Sequence, residues 1–257
     1  MNGHRGAGDR GVGMRKLLFA AAFGAGVNLS ACATMPPNPD APATNDPYEA
    51  TNREIFALNL KIDGWTLRPT ATAYANNVPE GLREAVHNVL ANLDLPITFT
   101  NDVLQAEPRR AGQTVSRFLV NSTLGVGGLF DMASRVGIPD HTEDFGQTLA
   151  VWGAGEGPYF VLPLLGPNPP RDLLGQGVDF AFDPTIYVRI KQHPWWMMGH
   201  AYVTILDLRA RNMETLDDIE RTSLDFYATT RSLYRQHRAS EIRNGEADVS
   251  PTDTPPP

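Results

Sequence analysis

The sequence predicts a mainly α-helical protein, and three observations support this fold class. Between Leu82 and Leu93 the apolar residues recur at i, i+4, i+7, i+8 and i+11, the spacing of one face of a helix. From about Thr204 to Arg238 the chain is charged and contains neither glycine nor proline. No clear run of alternating polar and apolar residues indicates a β-strand. An apolar content of 42% and a charged content of 20% are ordinary for a folded domain.

The predicted helices follow one another through a folded domain of residues 47–238. The first lies in "DPYEATNREIFALNLKIDGW" and begins after its proline. The second carries the stripe from Leu82 to Leu93 and is expected to end at Pro96, because proline lacks the amide hydrogen that a helix interior needs. Pro108 suits the first position of the third helix. One or two long helices are expected from about residue 204 onward.

Between the third helix and the last ones, residues 124–184 are rich in glycine and proline. Long irregular segments in a domain are often functional. The oddest stretch is "GPYFVLPLLGP", Gly157–Pro167. It is shorter than the roughly 20 apolar residues of a membrane-spanning helix, and it is too rich in proline for a central strand. Three interpretations remain open: a buried core crossing, a protein-contact patch, or a lipid-facing element lying at a membrane interface.

The N-terminus has the pattern of a secretory signal peptide. A positive "MRK" ending at Lys16 precedes an apolar stretch, Leu17–Leu29, and small residues follow it. Cys32 comes directly after them and is the single cysteine of the chain. This arrangement resembles the lipobox of bacterial lipoproteins, in which the cysteine becomes the acylated first residue. The alternative is an ordinary secreted protein with a chance cysteine.

These features predict four regions. Residues 1–31 are expected to be a lipoprotein signal peptide, whether translation starts at Met1 or Met14. Residues 32–46 are rich in proline and small polar residues and are expected to form a flexible, lipidated tether. The helical domain of 47–238 follows. Residues 239–257 end in "SPTDTPPP" and are expected to be a disordered tail.

No set of residues with catalytic spacing is present, so the chain is not expected to be an enzyme. The sequence has neither G-x-S-x-G nor H-E-x-x-H. The cluster of His141, Glu143 and Asp144 could be a metal or acid–base site, but we favour a solvated helix start. "WGAGEGP" lacks the lysine of a nucleotide-binding loop, and tight turns explain its glycines better. A net charge of −7 argues against nucleic acid as a partner.

Four long blocks of the sequence closely resemble the MlaA (VacJ) family of outer-membrane lipoproteins. They are "DPYEATNREIFALN", "RFLVNSTLGVGGLFD", "EDFGQTLAVWGAGEGPYFVLPLLGP" and "RDLLG". The likeness is strong over residues 47–190 and looser in the later helices. The chain departs from the family pattern after "PLLGP", where Asn168-Pro169-Pro170 replaces the usual Ser-Thr, and this departure concerns the local turn.

The resemblance implies a ring-like helical domain with an amphipathic pore, held by a lipid anchor on the periplasmic side of the outer membrane. Ala33, directly after the cysteine, resembles the outer-membrane address of this class. Such proteins remove phospholipid that has strayed into the outer leaflet and pass it to the periplasmic carrier MlaC, which maintains lipid asymmetry. Some associate with trimeric porins. The resemblance implies that no bond is made or broken. The acyl chains on Cys32 are the only covalently attached groups expected, and neither a further cofactor nor a metal ion is expected.

We assign the lipid-contacting residues on this basis. Contact with lipid or with the bilayer is expected from the large side chains Trp152, Tyr159, Phe160, Leu162, Leu164 and Leu165. The glycines Gly153, Gly155 and Gly157 are expected to let the backbone turn closely beside the pore. Two rival functions remain: a lipid-modifying enzyme, for which no nucleophile–base pair is evident, and a structural lipoprotein that scaffolds porins without moving lipid.

Overall fold

The structure is mainly α-helical, which confirms the predicted class. The computed structural model describes residues 45–186 and 195–245. Helix α1, Glu49–Ile62, continues through a π-helical turn, Asp63–Leu67, into α2, Arg68–Asn77. An acidic residue in the first turn of α1 and a basic one in its last turn complement the helix dipole.

The long helix α3 and its neighbour α4 form an antiparallel pair. Helix α3 spans Glu80–Leu104 and α4 spans Pro108–Thr123, with Pro108 at a first-turn position as predicted. The expected end of α3 at Pro96 is wrong, because the helix continues for two further turns. Proline removes one helical hydrogen bond at this point. Pro96 and Phe99 face α4 across a small apolar cavity, and the close pairing of α3 with α4 extends along this part of the helix.

The glycine- and proline-rich segment contains short elements around one longer helix. Helices α5, Met132–Arg135, and α6, Phe145–Val151, both begin with an aspartate whose side chain accepts a backbone hydrogen bond from the first turn. Strands β1, Val161–Leu162, and β2, Gly166–Pro167, pair in antiparallel fashion. Helix α7, Pro170–Phe182, follows and packs closely on α6.

Three helices, rather than the expected one or two, make up the last part of the described chain. They are α8, Trp195–Arg211, α9, Met213–Thr222, and α10, Phe226–Ile242. The break between α9 and α10 has a clear cause. Asp225 has an extended backbone, and its carboxylate accepts a hydrogen bond from the amide of Ala228, which starts α10. Helix α10 ends four residues beyond the predicted domain boundary at 238. The predicted signal peptide, Cys32, the predicted tether up to residue 44 and the predicted tail from residue 246 onward lie outside the described residues.

The interior is dominated by polar side chains. Among the described residues, twenty buried side chains are polar or charged and eight are apolar. The apolar core is a small cluster of Tyr159, Val161 and Tyr227, with Ile55, Phe56 and Tyr234 packed against it. Arg238 of α10 typifies the rest: it donates to Asp144 at 2.6 and 2.7 Å and to Asp172 at 3.0 Å, which ties α10 to α6 and α7.

The outer surface is correspondingly rich in large apolar residues. Those exposed on α3 to α7 and the loops between them include Phe99, Val103, Phe118, Leu119, Leu124, Val126, Phe130, Val136, Leu164, Leu165, Leu174 and Phe180. Soluble monomers rarely expose large contiguous apolar patches, and such patches mark membrane, ligand or protein contacts. None of the helices in the described ranges is long and apolar enough to span a bilayer.

Candidate functional site

An apolar cavity of about 500 Å³ lies between α3, α8 and the loop that follows α4. Its α3 wall is the stripe predicted from the sequence. The other walls are Leu129 of the loop and Gly199, His200 and Val203 of α8. The α3 residues that line it are Leu82, Ala85, Val86, Val89, Leu90 and Leu93. A volume in the range of ordinary small-molecule sites and an almost wholly apolar wall make this cavity suited to a hydrocarbon chain.

A second cavity of about 320 Å³ adjoins the first and shares Leu90 as a wall. We call it the polar cavity, because it is lined by more polar groups than the first, although most of its surface is still apolar. It is also formed by α3 and α8, with the Asp140–Thr142 loop on its other side. Its polar lining consists of His87, Asp94, Thr98, Asp140, His141, Thr142, Thr204, Asp207 and Arg211. We name the two cavities together the α3–α8 cleft. One part of the cleft is suited to acyl chains and the other to a charged or polar headgroup.

Asp207 organises the charges of the polar cavity. It is 3% exposed, and its Oδ2 accepts from His87 Nδ1 at 2.9 Å and from Arg211 Nε at 3.0 Å. The hydroxyl of Tyr74 is also close to Asp207, and its pKa is raised by burial and by the negative charge of this carboxylate. Arg211 is further engaged by Glu84, which accepts from Nη1 at 3.1 Å. The cations that line this cavity are therefore already committed to carboxylates.

Asp94 is different, because it has no ion pair within the described part of the chain. The carboxylate is open to the polar cavity, but the surrounding protein still desolvates it. This burial raises the pKa of Asp94 to about 6; the charge of Asp183 acts in the same direction and His200 opposes it. Asp94 is thus mostly ionised at neutral pH, and no side chain of the described residues forms an ion pair with it.

The predicted cluster of His141, Glu143 and Asp144 is a structural network at the edge of this cavity. His141 Nε2 lies 3.1 Å from Asp102, and Arg110 donates to Glu143 at 2.5 Å. Asp144 starts α6, as the favoured helix-start interpretation required. That interpretation is wrong about solvation, because Glu143 is buried and its pKa is raised by desolvation. Within the described ranges no group of acidic, histidine or cysteine side chains is arranged to hold a metal ion.

Comparison with known proteins identifies the family. A family model described as "MlaA lipoprotein" matches residues 44–241. The chain belongs to the MlaA lipoprotein family. The resemblance inferred from the sequence blocks is thereby confirmed.

Relatives and a solved structure agree with this membership. The chain is 32% identical to the Escherichia coli protein named intermembrane phospholipid transport system lipoprotein MlaA, with 94% of each chain covered. The Haemophilus influenzae protein of the same name is 30% identical, over 89% of this chain and 92% of that one. An uncharacterised protein of Rickettsia bellii is 37% identical over 77% of each. A solved structure described as the structural basis for maintenance of bacterial outer membrane lipid asymmetry matches with a TM-score of 0.69 and 31% identity, over 77% of this chain and 98% of that one.

In this MlaA-family chain, asparagines of α1 hold the apolar run Gly157–Pro167 in place. Asn52 donates to the carbonyl of Tyr159 and accepts from the amide of Val161, each at 3.0 Å. Asn59 does the same for the carbonyl of Leu162, at 2.9 Å, and the amide of Leu164, at 2.8 Å. These amide side chains replace missing strand partners, so the run can be short, rich in proline and still ordered.

The run is divided between the interior and the surface. Tyr159 is 1% exposed in the apolar core, so its predicted lipid contact has no surface through which to form. Phe160 and Leu162 are half-buried, and Phe160 stacks on Tyr48. Leu164 is 70% exposed, and Leu165 is also exposed. The core interpretation therefore applies to the first half of the run, and a contact surface is left in the second half.

The remaining predicted residues lie at the turn before the run. Trp152 is 56% exposed and donates from Nε1 to the carbonyl of Leu104 at 3.1 Å. Gly153 and Gly157 have φ values of +92° and +80°, which favour glycine strongly. Gly155 has neither a positive φ nor a close neighbour, and nothing in the structure explains it.

None of the nine predicted residues lines the α3–α8 cleft. The sequence analysis did not predict the cleft as a site. Its α3 residues appear in the sequence as one apolar helical stripe, and such a stripe is equally typical of a helix packed in a core. Their distinction comes from α8, which stays far enough away to leave the stripe uncovered.

Proposed function

We propose that this chain is an outer-membrane lipoprotein that removes phospholipid from the outer leaflet and passes it to a periplasmic carrier of the MlaC type, so that lipid asymmetry is maintained. The observation that carries the proposal is the α3–α8 cleft, in which an apolar cavity of about 500 Å³ adjoins a polar one of about 320 Å³. This pairing matches a molecule with acyl chains and a polar headgroup. The relatives named for phospholipid transport support it.

The polar interior and the apolar surface of the domain support a position within the bilayer. Buried polar groups that are hydrogen-bonded tolerate an interior position, whereas exposed Phe, Leu and Trp gain free energy by contact with acyl chains. In the proposal this surface includes Leu164 and Leu165, which lie in the hairpin formed by β1 and β2, and Trp152, which precedes the hairpin in sequence. The pore of the family's ring would include the α3–α8 cleft. The domain would be held on the periplasmic side by acyl groups on Cys32.

The chemistry proposed is transfer without bond formation. A structural lipoprotein that scaffolds trimeric porins is the alternative, and the exposed apolar surface would serve it as well. The cleft favours transport in this proposal, because a scaffold has no use for adjoining apolar and polar cavities.

The test is outer-leaflet phospholipid in cells that lack the protein, measured through an outer-membrane palmitoyltransferase or by sensitivity to detergent plus chelator. Wild-type chain is expected to restore the barrier, and Cys32→Ala is expected not to. Val89→Trp fills the apolar cavity and should also fail at normal protein level. Val103→Trp, on an exposed position of the same helix, is the matched control and should succeed. Full function of Val89→Trp would exclude the cleft as the passage, and unchanged lipid with altered porin assembly would favour the scaffold.

A further inference from the structure

Asp94 lies at the boundary between the apolar and polar parts of the α3–α8 cleft. Leu93 beside it lines the apolar cavity, Asp94 lines the polar one, and Leu90, one turn earlier, lines both. A carboxylate here is therefore within reach of a molecule whose tails fill the apolar cavity. It is placed where the headgroup of such a molecule would begin.

The other carboxylates of the polar cavity are balanced by protein cations. Asp207 is paired with Arg211 and His87. Asp140 is paired with Arg117, whose Nε lies 3.0 Å away. Of the three acidic residues that line this cavity, Asp94 alone forms no ion pair within the described chain, and the only described histidine charge that acts on it is that of His200, without direct contact.

An ammonium group is the chemistry that matches Asp94. It has three donors and a full positive charge. Asp94 is exposed and lines the polar cavity, so an ammonium there would meet a carboxylate that no side chain of the described chain engages in an ion pair.

We propose, on the basis of the proposed function, that the polar cavity recognises the primary ammonium of an ethanolamine headgroup through Asp94, so that the cleft prefers zwitterionic aminophospholipid to an anionic phospholipid with a glycerol headgroup. An anionic headgroup would bring its phosphate next to Asp94 with no additional positive charge. The cations of the cavity are engaged with Asp207 and Glu84 and do not compensate for it. A zwitterionic headgroup supplies the missing cation itself.

The experiment uses the full-length acylated protein, purified in detergent and exchanged against vesicles of equal parts phosphatidylethanolamine and phosphatidylglycerol. Bound lipid is extracted and quantified by mass spectrometry. We expect wild type to enrich phosphatidylethanolamine about fivefold, the size of a partly exposed ion pair. Asp94→Asn should bring the ratio close to one by weakening the binding of phosphatidylethanolamine, and Asp94→Lys should favour phosphatidylglycerol. Asp218→Asn, on the exposed face of α9, is the control and should retain the wild-type ratio.

Equal binding of the two lipids by wild type, or a wild-type ratio in Asp94→Asn, would overturn the proposal and leave lipid transport intact. A wild-type protein that binds neither lipid, with Val89→Trp fully active in cells, would instead overturn the proposed function itself.

Discussion

The contact between α6 and α7 predicts that a single methyl group at Gly175 destabilises the protein. Gly175 is buried in α7, and a Cβ atom built on it would lie 2.3 Å from the backbone nitrogen of Gly146 and 2.7 Å from its Cα. Ordinary van der Waals contact begins at 3.4 Å. The obstacle is backbone rather than a flexible side chain, so Gly175→Ala must push the two helices apart by about 1 Å, as expected for overpacking.

The expected size of the effect follows from two opposing terms. Overpacking a dense interior costs about 3 kcal/mol at the upper end of its usual range, and replacing glycine by alanine within a helix returns up to about 1 kcal/mol. The net loss is about 2 kcal/mol, which lowers the Tm of a chain of this size by about 4–8 °C. The displacement would also strain Arg238, which bridges Asp144 of α6 and Asp172 of α7.

The assay is thermal unfolding of the detergent-solubilised protein followed by circular dichroism. Gly177→Ala is the matched control, because it lies two residues further along the same helix with nothing within 4 Å of its Cβ position. That variant should be neutral or more stable by up to about 1 kcal/mol. Equal Tm values for the two variants would refute the close approach of α6 and α7.

Three further predictions concern polar groups. Arg238→Ala should cost about 3 kcal/mol in chemical denaturation, because it leaves Asp144 without its cation and leaves the buried Asp172 paired with Arg171 alone; a loss no larger than that of an exposed arginine such as Arg221 would contradict the network. Asn52→Ala removes two hydrogen bonds to the buried backbone of the β1 segment and should cost about 2 kcal/mol; susceptibility of the hairpin to protease should rise with it, and an unchanged cleavage rate would count against the clamp. Asp94→Asn should raise the free energy of unfolding at pH 7.5 by about 1 kcal/mol, a value reduced for solvent screening. Since the folded-state pKa of about 6 lies above the ordinary value, the ionised form costs stability above pH 6, and the gain from the substitution should disappear as the pH falls from 6 to 4; a gain that persists at pH 4 would refute this account.

Local signals predicted the helices well where one residue type decides the outcome. Pro108 starts α4, and the stripe after Leu82 lies on one face of α3. Pro96 misled the prediction, because a helix can continue through a proline where a neighbouring helix holds it, and the pairing of α3 with α4 is a long-range feature. The division of the last helices depended on an aspartate at 225 rather than on glycine or proline.

The site was harder to predict, since both of its determinants are long-range. The hairpin run is divided into a buried and an exposed half by asparagines more than 100 residues earlier in the chain. The cleft exists because α8 faces the α3 stripe across a gap. Neither the asparagine contacts nor the position of α8 opposite α3 can be predicted from a short stretch of sequence. The four sequence blocks were sufficient to identify the family, but they did not predict these two features.

The polar interior and apolar exterior also determine how soluble the folded chain is in water. A folded protein with a polar surface stays monomeric in water. In this protein the folded domain exposes Phe118, Leu119, Leu164 and many other large apolar side chains. Copies released into an aqueous compartment would adhere to one another through these surfaces. For a chain with this surface, the concentration of free copies in water, rather than the stability of the fold, therefore sets how far they associate.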